Sequence, residues 1–161
     1  MRFRVLLGLG LIVAISASLS ALSVGDDAEE GIDFEKILCP VSKKPVDESA
    51  KTEHDDCDVY FCCKNCLAAF DKDPTDFLAR ANHQKVATKQ VKQIKCPKTK
   101  GKIKESTALD VSDVDVMFCC KNCRGWAKGL SEDVQFAKLF DKDVFEEAFE
   151  VIEKEDDDDE S

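Results

Sequence analysis

Hydrophobic and polar positions along this chain follow two different periods. Asp58-Val59-Tyr60-Phe61-Cys62 is rich in β-branched and aromatic residues and predicts a short strand. Just beyond it the spacing changes: Cys66, Leu67 and Phe70 share one helical face, which predicts a helix starting after Cys63. Asp73-Pro74-Thr75-Asp76 then predicts a second helix, with Asp73 as N-cap and Pro74 at the first helical position. Upstream, Ile37-Leu38 leads into the turn-rich segment Cys39-Pro40-Val41-Ser42-Lys43-Lys44-Pro45. Turn, hairpin, helix and helix is therefore the expected order of elements.

The same order recurs. Cys39, Cys62, Cys63 and Cys66 reappear 57 positions later as Cys96, Cys119, Cys120 and Cys123, and Phe-Cys-Cys-Lys-Asn-Cys occurs twice. About half of the positions from Cys39 to Cys66 are identical to those from Cys96 to Cys123, which marks an internal duplication. Ser131-Glu132-Asp133 is the expected start of the second helix in the second unit. After it, Val144, Phe145, Ala148, Phe149 and Ile152 predict a closing amphipathic helix over residues 143–152.

The two ends have a different composition. Arg2 and Arg4 precede an apolar run from Val5 to Ile15 and a small-residue segment ending at Ser23, the layout of a secretory signal peptide over residues 1–23. A retained N-terminal anchor is the alternative reading, and the only expected route to a membrane. Residues 24–33 are expected to be disordered, and the acidic residues 153–161 to form a solvated tail. The formal charge of −10 becomes −12 once the two arginines of residues 1–23 are removed. That balance argues against nucleic acid as a partner, because phosphate binding needs clustered Lys and Arg. The expected location is periplasmic or secreted.

Each unit is small for a self-sufficient core, so cross-links, metal or packing of the two halves must supplement it. The cysteines allow three chemistries. In one, the turn cysteine, Cys39 or Cys96, is brought against the cysteines at the strand-to-helix junction, and their thiolates hold a metal ion. A four-thiolate set suits Zn²⁺, whereas three thiolates suit Cu⁺ or another heavy metal. In the second, oxidising surroundings pair eight cysteines as disulfides and leave Cys57 over. In the third, Cys63-Lys64-Asn65-Cys66 and Cys120-Lys121-Asn122-Cys123 are redox C-x-x-C motifs, although no βαβ pattern surrounds either.

Cys39-Pro40-Val41-Ser42, Cys62 after 22 intervening residues and Cys66 after three more, with Phe61 before and Phe70 after, resemble the TRASH and YHS group of heavy-metal-binding modules. Cys96, Cys119 and Cys123 repeat the spacing. The resemblance covers residues 37–80 and 94–137. It implies a small α+β protein of two tandem treble-clef or zinc-ribbon-like modules, here over residues 34–90 and 91–142, that bind a transition-metal ion through Cys39, Cys62 and Cys66 and through Cys96, Cys119 and Cys123, with Cys63 and Cys120 as the expected fourth ligands.

The remaining candidates are secondary. His54 and Cys57 lie within the acidic run 54–58, which reads as an exposed hairpin tip with an auxiliary ligand cluster as the alternative, and His83 is expected near a helix end, with metal contact as its lesser reading. Phe61, Phe70, Phe77, Phe118, Trp126 and Phe136 are expected to form small cores around the sites. No Ser-His-Asp set, phosphate loop or carboxylate pair stands out, so no enzymatic reaction is expected. A protein partner is the remaining expected ligand besides the metal.

Overall fold

In the computed structural model, which describes residues 32–153, each repeat is built around a tight antiparallel hairpin. Strand β1 (Asp47–His54) pairs with β2 (Cys57–Phe61), and β4 (Lys104–Asp110) pairs with β5 (Asp115–Phe118). The turns are Asp55-Asp56 and Ser112-Asp113, with φ of 51° and 58° in the first and 52° and 66° in the second. Two successive left-handed residues match the twist of the flanking strands, and Asp tolerates that region better than bulky residues do. The expectations for residues 1–23, 24–31 and 154–161 lie outside the described residues.

A helix follows each hairpin as the spacing of Cys66, Leu67 and Phe70 requires. Helix α1 spans Lys64–Lys72 and α3 spans Lys121–Lys128. The second predicted helix of the first unit begins as a single 3₁₀ turn, Thr75–Phe77, and continues as α2 (Leu78–Ala87). Asp73, expected as the N-cap, is instead the C-cap of α1, and Pro74 takes the N-cap position rather than the first helical one; Asp73 still accepts from the Thr75 N–H at 3.1 Å. Its counterpart α4 (Glu132–Leu139) starts directly after the N-cap residue Ser131.

The closing helix is shorter than expected. Helix α5 covers Lys142–Ala148, and Phe149–Val151 is a strand, β6, rather than the end of a helix running to residue 152. The partner decides this. Strand β6 pairs antiparallel with β3 (Val91–Gln93), matching Val91 to Val151, Lys92 to Glu150 and Gln93 to Phe149. Satisfying those backbone groups while burying Phe149 outweighs the helical spacing of its apolar residues.

That small sheet shows how the duplication is assembled. Shifting by 57 places Lys92 on Phe149 and Gln93 on Glu150, so β3 and β6 are each other's repeat counterparts, joined about a local pseudo-two-fold axis. His83 and Phe140, also counterparts, meet edge to face with ring centroids 5.0 Å apart. His83 lies within α2 rather than near its end, with Phe136 on another side and its Nε2–H donated to the Val111 carbonyl at 2.9 Å. Burial holds this imidazole below its ordinary pKa, so it sits there neutral. Asn82 donates to the Phe140 carbonyl at 3.0 Å.

The repeats thus share a core. Its larger cluster joins Cys57 and Val91 of the first repeat to Val116, Phe118, Leu139, Phe140 and other residues of the second. A smaller cluster around Phe61 and Phe70 serves the first repeat alone. Glutamine amides, buried at Gln84 and partly buried at Gln93, complete the strand backbones. Gln84 accepts from the Tyr60 N–H and donates to the Tyr60 and Leu38 carbonyls, while Gln93 serves Met117 and Lys95, the equivalent backbone groups, in the same way.

Phe140 is fully buried at the junction, so Phe140→Ala should cost about 3–5 kcal/mol. Urea unfolding of wild type and variant under identical conditions checks this, and a loss below about 1 kcal/mol would mean that the junction contributes little to the fold.

Candidate metal centres

Each site is assembled from two pieces of backbone that approach from opposite directions. The first piece is a knuckle. In the first repeat the Lys43 N–H donates to the Cys39 carbonyl at 2.9 Å and the Cys39 N–H to the Lys44 carbonyl at 2.8 Å. In the second, Lys100 donates to Cys96 at 2.8 Å and Cys96 to Gly101 at 2.9 Å. Lys43 and Lys100 both occupy the left-handed region, with φ of 60° and 59°, so the two knuckles share a backbone conformation as well as a sequence pattern.

The second piece is the strand-to-helix junction. Cys62 and Cys119 follow the last residues of β2 and β5, while Cys63 and Cys120 are the N-caps of α1 and α3. Cys66 and Cys123 lie in the first helical turns. The sulfurs of Cys39, Cys62 and Cys66 all lie within 4.8 Å of one another, and so do those of Cys96, Cys119 and Cys123. Cys62 and Cys66 stand 3.6 Å apart, as do Cys119 and Cys123. Cys63 lies 3.8 Å from Cys62, and Cys120 lies 3.7 Å from both Cys119 and Cys123.

These spacings have a chemical meaning. Four sulfurs at 2.3 Å from a tetrahedral ion are separated by about 3.8 Å along each edge. A disulfide instead draws two sulfurs to about 2.05 Å and leaves a third without a role. Three mutually close sulfurs are an arrangement that could hold one ion, and Cys63 and Cys120 stand beside these sets without belonging to them. No disulfide joins any of the cysteines among the described residues.

Hydroxyls support the sulfurs. Ser42 Oγ lies 3.1 Å from Cys62 Sγ, and Thr99 Oγ1 lies 3.2 Å from Cys119 Sγ. Each occupies the knuckle position where a four-cysteine ribbon would carry its second Cys. Burial raises the Cys39 thiol, but the Ser42 side chain and the N–H groups of Ser42, Cys62 and Val41 outweigh it and leave the pKa below the ordinary value. Cys96 follows the same balance with Thr99, Cys119 and Lys98 and falls to about 7. The Cys66 and Cys123 backbone N–H groups foremost hold Cys63 and Cys120 below the ordinary thiol value.

The last thiol of each pocket behaves in the opposite way. Cys66 and Cys123 are each pushed up to about 12, first by desolvation, then by hydrogen bonds to neighbouring sulfurs and by the negative charge of Cys39 or Cys96. A pocket of thiolates accumulates charge that only a cation can offset.

The other sequence candidates lie outside the triads. Asp55-Asp56 is the hairpin tip, as expected, but Cys57 is fully buried in the shared core. His54 turns inward, its ring 5.4 Å from Phe70 and its Nδ1 2.7 Å from Asp55. The buried Lys85 Nζ lies 3.4 Å from His54 Nδ1 and 3.3 Å from Asp55, which ties the hairpin tip to α2. Phe61, Phe70 and Phe118 are buried beside the sites, and Phe77, Trp126 and Phe136 pack partly buried against the same clusters. One feature escaped the sequence reading: Lys98 Nζ sits 4.6 Å above the Trp126 ring.

In metal-free, reduced protein, alkylation at pH 7 should label Cys63 and Cys120 fastest, because each combines a lowered pKa with access to solvent or partial access. Cys66 and Cys123 should stay slow until the pH approaches their raised values, because protons are lost from them last. Timed peptide mapping by mass spectrometry checks this order, and equal labelling of Cys63 and Cys66 at pH 7 would contradict it.

No family model matches this chain, and no curated protein or solved structure is similar to it.

Proposed function

We propose that this chain is an exported transition-metal-binding protein with two thiolate sites, one per repeat, that binds, senses or passes on its ion and catalyses no reaction. The observation that carries this reading is the pair of three-sulfur clusters, each confined within 4.8 Å and built from equivalent residues. We assign Cys39, Cys62 and Cys66 to the first site and Cys96, Cys119 and Cys123 to the second, with Cys63 and Cys120 as the fourth ligands. We take Zn²⁺ as the ion because a four-thiolate set suits it, with Cys63, 3.8 Å from Cys62, and Cys120, 3.7 Å from Cys119, added to the two triads. Cu⁺ or another soft ion is the alternative that elemental analysis decides.

Knuckle, hairpin and helix, in that order around one cluster, support reading each repeat as a treble-clef-like module of the TRASH and YHS kind. Export rests on the composition of residues 1–23 alone. Among the described residues no helix is long and apolar enough to cross a membrane.

Native mass spectrometry of the full chain, with elemental analysis and thiol counting on the same sample, tests the reading. Two ions per chain are expected, falling to one in Cys39→Ser and to one in Cys96→Ser. Chelation in denaturant should then expose nine titratable thiols. A metal-free mass lower by about eight hydrogens, with one titratable thiol, would establish a disulfide scaffold instead. Because ligand thiols must lose protons to bind, affinity should fall on acidification, measurable as the pH at which half of the metal is released.

A further inference from the structure

The two sites carry identical ligands, so any difference between them has to come from what surrounds the sulfurs. On the knuckle side the second site is no better covered than the first: Thr99 is exposed and Ser42 half-buried. On the helix side the contrast runs the other way. Cys63 is exposed and Cys66 half-buried, whereas Cys120 is half-buried and Cys123 retains only 5% of its surface.

One helical turn further on, the contrast grows. Trp126 follows Cys123 by three residues on the same face of α3, and its counterpart in α1 is the exposed Ala69. Lys98 belongs to the second knuckle, between Cys96 and Thr99, and its Nζ lies over the Trp126 ring at 4.6 Å. Its counterpart is Val41, which has no such charge to offer. A cation on an aromatic face thus clasps the two pieces of backbone that must separate before an ion can leave the second site. In the first site nothing equivalent is possible between Val41 and Ala69.

The cores differ in the same sense. Cys96 and Cys123 belong to the larger apolar cluster shared by both repeats, and Cys119, Cys120 and Trp126 pack against it. Cys39 belongs to the smaller cluster of the first repeat, with Cys62 and Cys66 at its edge.

We propose that the two centres divide the work: the first exchanges its ion with thiolate ligands from outside, entering at the exposed Cys63, and the second keeps its ion as a structural element. This inference rests on the metal-binding reading above. The exchange is ligand substitution, in which each departing protein thiolate is replaced on the ion by an incoming thiolate, and no electron is transferred.

The test uses the full chain loaded with two Zn²⁺ and challenged with excess reduced glutathione and a chromophoric zinc chelator. Release should occur in two phases of one ion each. Alkylation and peptide mapping of the one-ion species should label Cys39, Cys62, Cys63 and Cys66 and spare Cys96, Cys119, Cys120 and Cys123. Lys98→Ala alters an exposed side chain and should accelerate the slow phase alone, by about two- to fivefold. A single phase, labelling of the second group first, or an unchanged slow phase in Lys98→Ala with the fold intact by circular dichroism would overturn the division. Wild-type protein that takes up no Zn²⁺ at all would instead remove the metal-binding reading on which the division depends.

Discussion

Crowded sulfur is the constraint on which this structure turns. Three thiols within 4.8 Å cannot all ionise without help, and the fold meets that problem in stages. Knuckle amides and a hydroxyl stabilise the first thiolate, helix N-terminal amides stabilise the N-cap cysteine, and the last thiol is left with its proton held up to about 12. A divalent or soft monovalent cation bound there would favour loss of that proton by supplying the charge the pocket lacks. Everything else in the repeat serves to bring the knuckle against the helix start.

The hairpin does this positioning. Its two-residue turn fixes the register of β2 and β5, so that Cys62 and Cys119 emerge where the knuckle passes and the following residues can cap a helix. A hairpin and one short helix bury too little apolar surface to hold such a pocket by themselves. The second half of each repeat supplies the remainder by packing on its counterpart, through β3 with β6 and through His83 with Phe140. The arrangement resembles a symmetric dimer joined into one chain, in which both halves contribute to the larger core.

Duplication also frees the halves to diverge. Every cysteine of the site is retained in both copies, while Val41 and Ala69 in one face Lys98 and Trp126 in the other. If the cysteines hold an ion, coordination geometry would constrain them in both copies, whereas the rim is held only by packing and is free to differ.

Periodicity and repetition in the sequence determined the hairpin strands, the helices that begin after Cys63 and Cys120, the eight paired cysteines and the 57-residue repeat, because these depend on neighbours a few residues apart or on exact recurrence. Tertiary structure alone decided that Phe149–Val151 is a strand, that Cys57 and His54 turn inward, that His83 sits at the junction and that Lys98 covers Trp126. In the aligned repeats, the replacement of Ala69 by Trp126 signalled a difference between the sites without showing its partner. Each of those outcomes depends on a surface more than a dozen residues away in the chain, or on the opposite side of a site. Local pattern specifies what a segment can form; the backbone groups and apolar faces that remain unpaired after folding select what it does form.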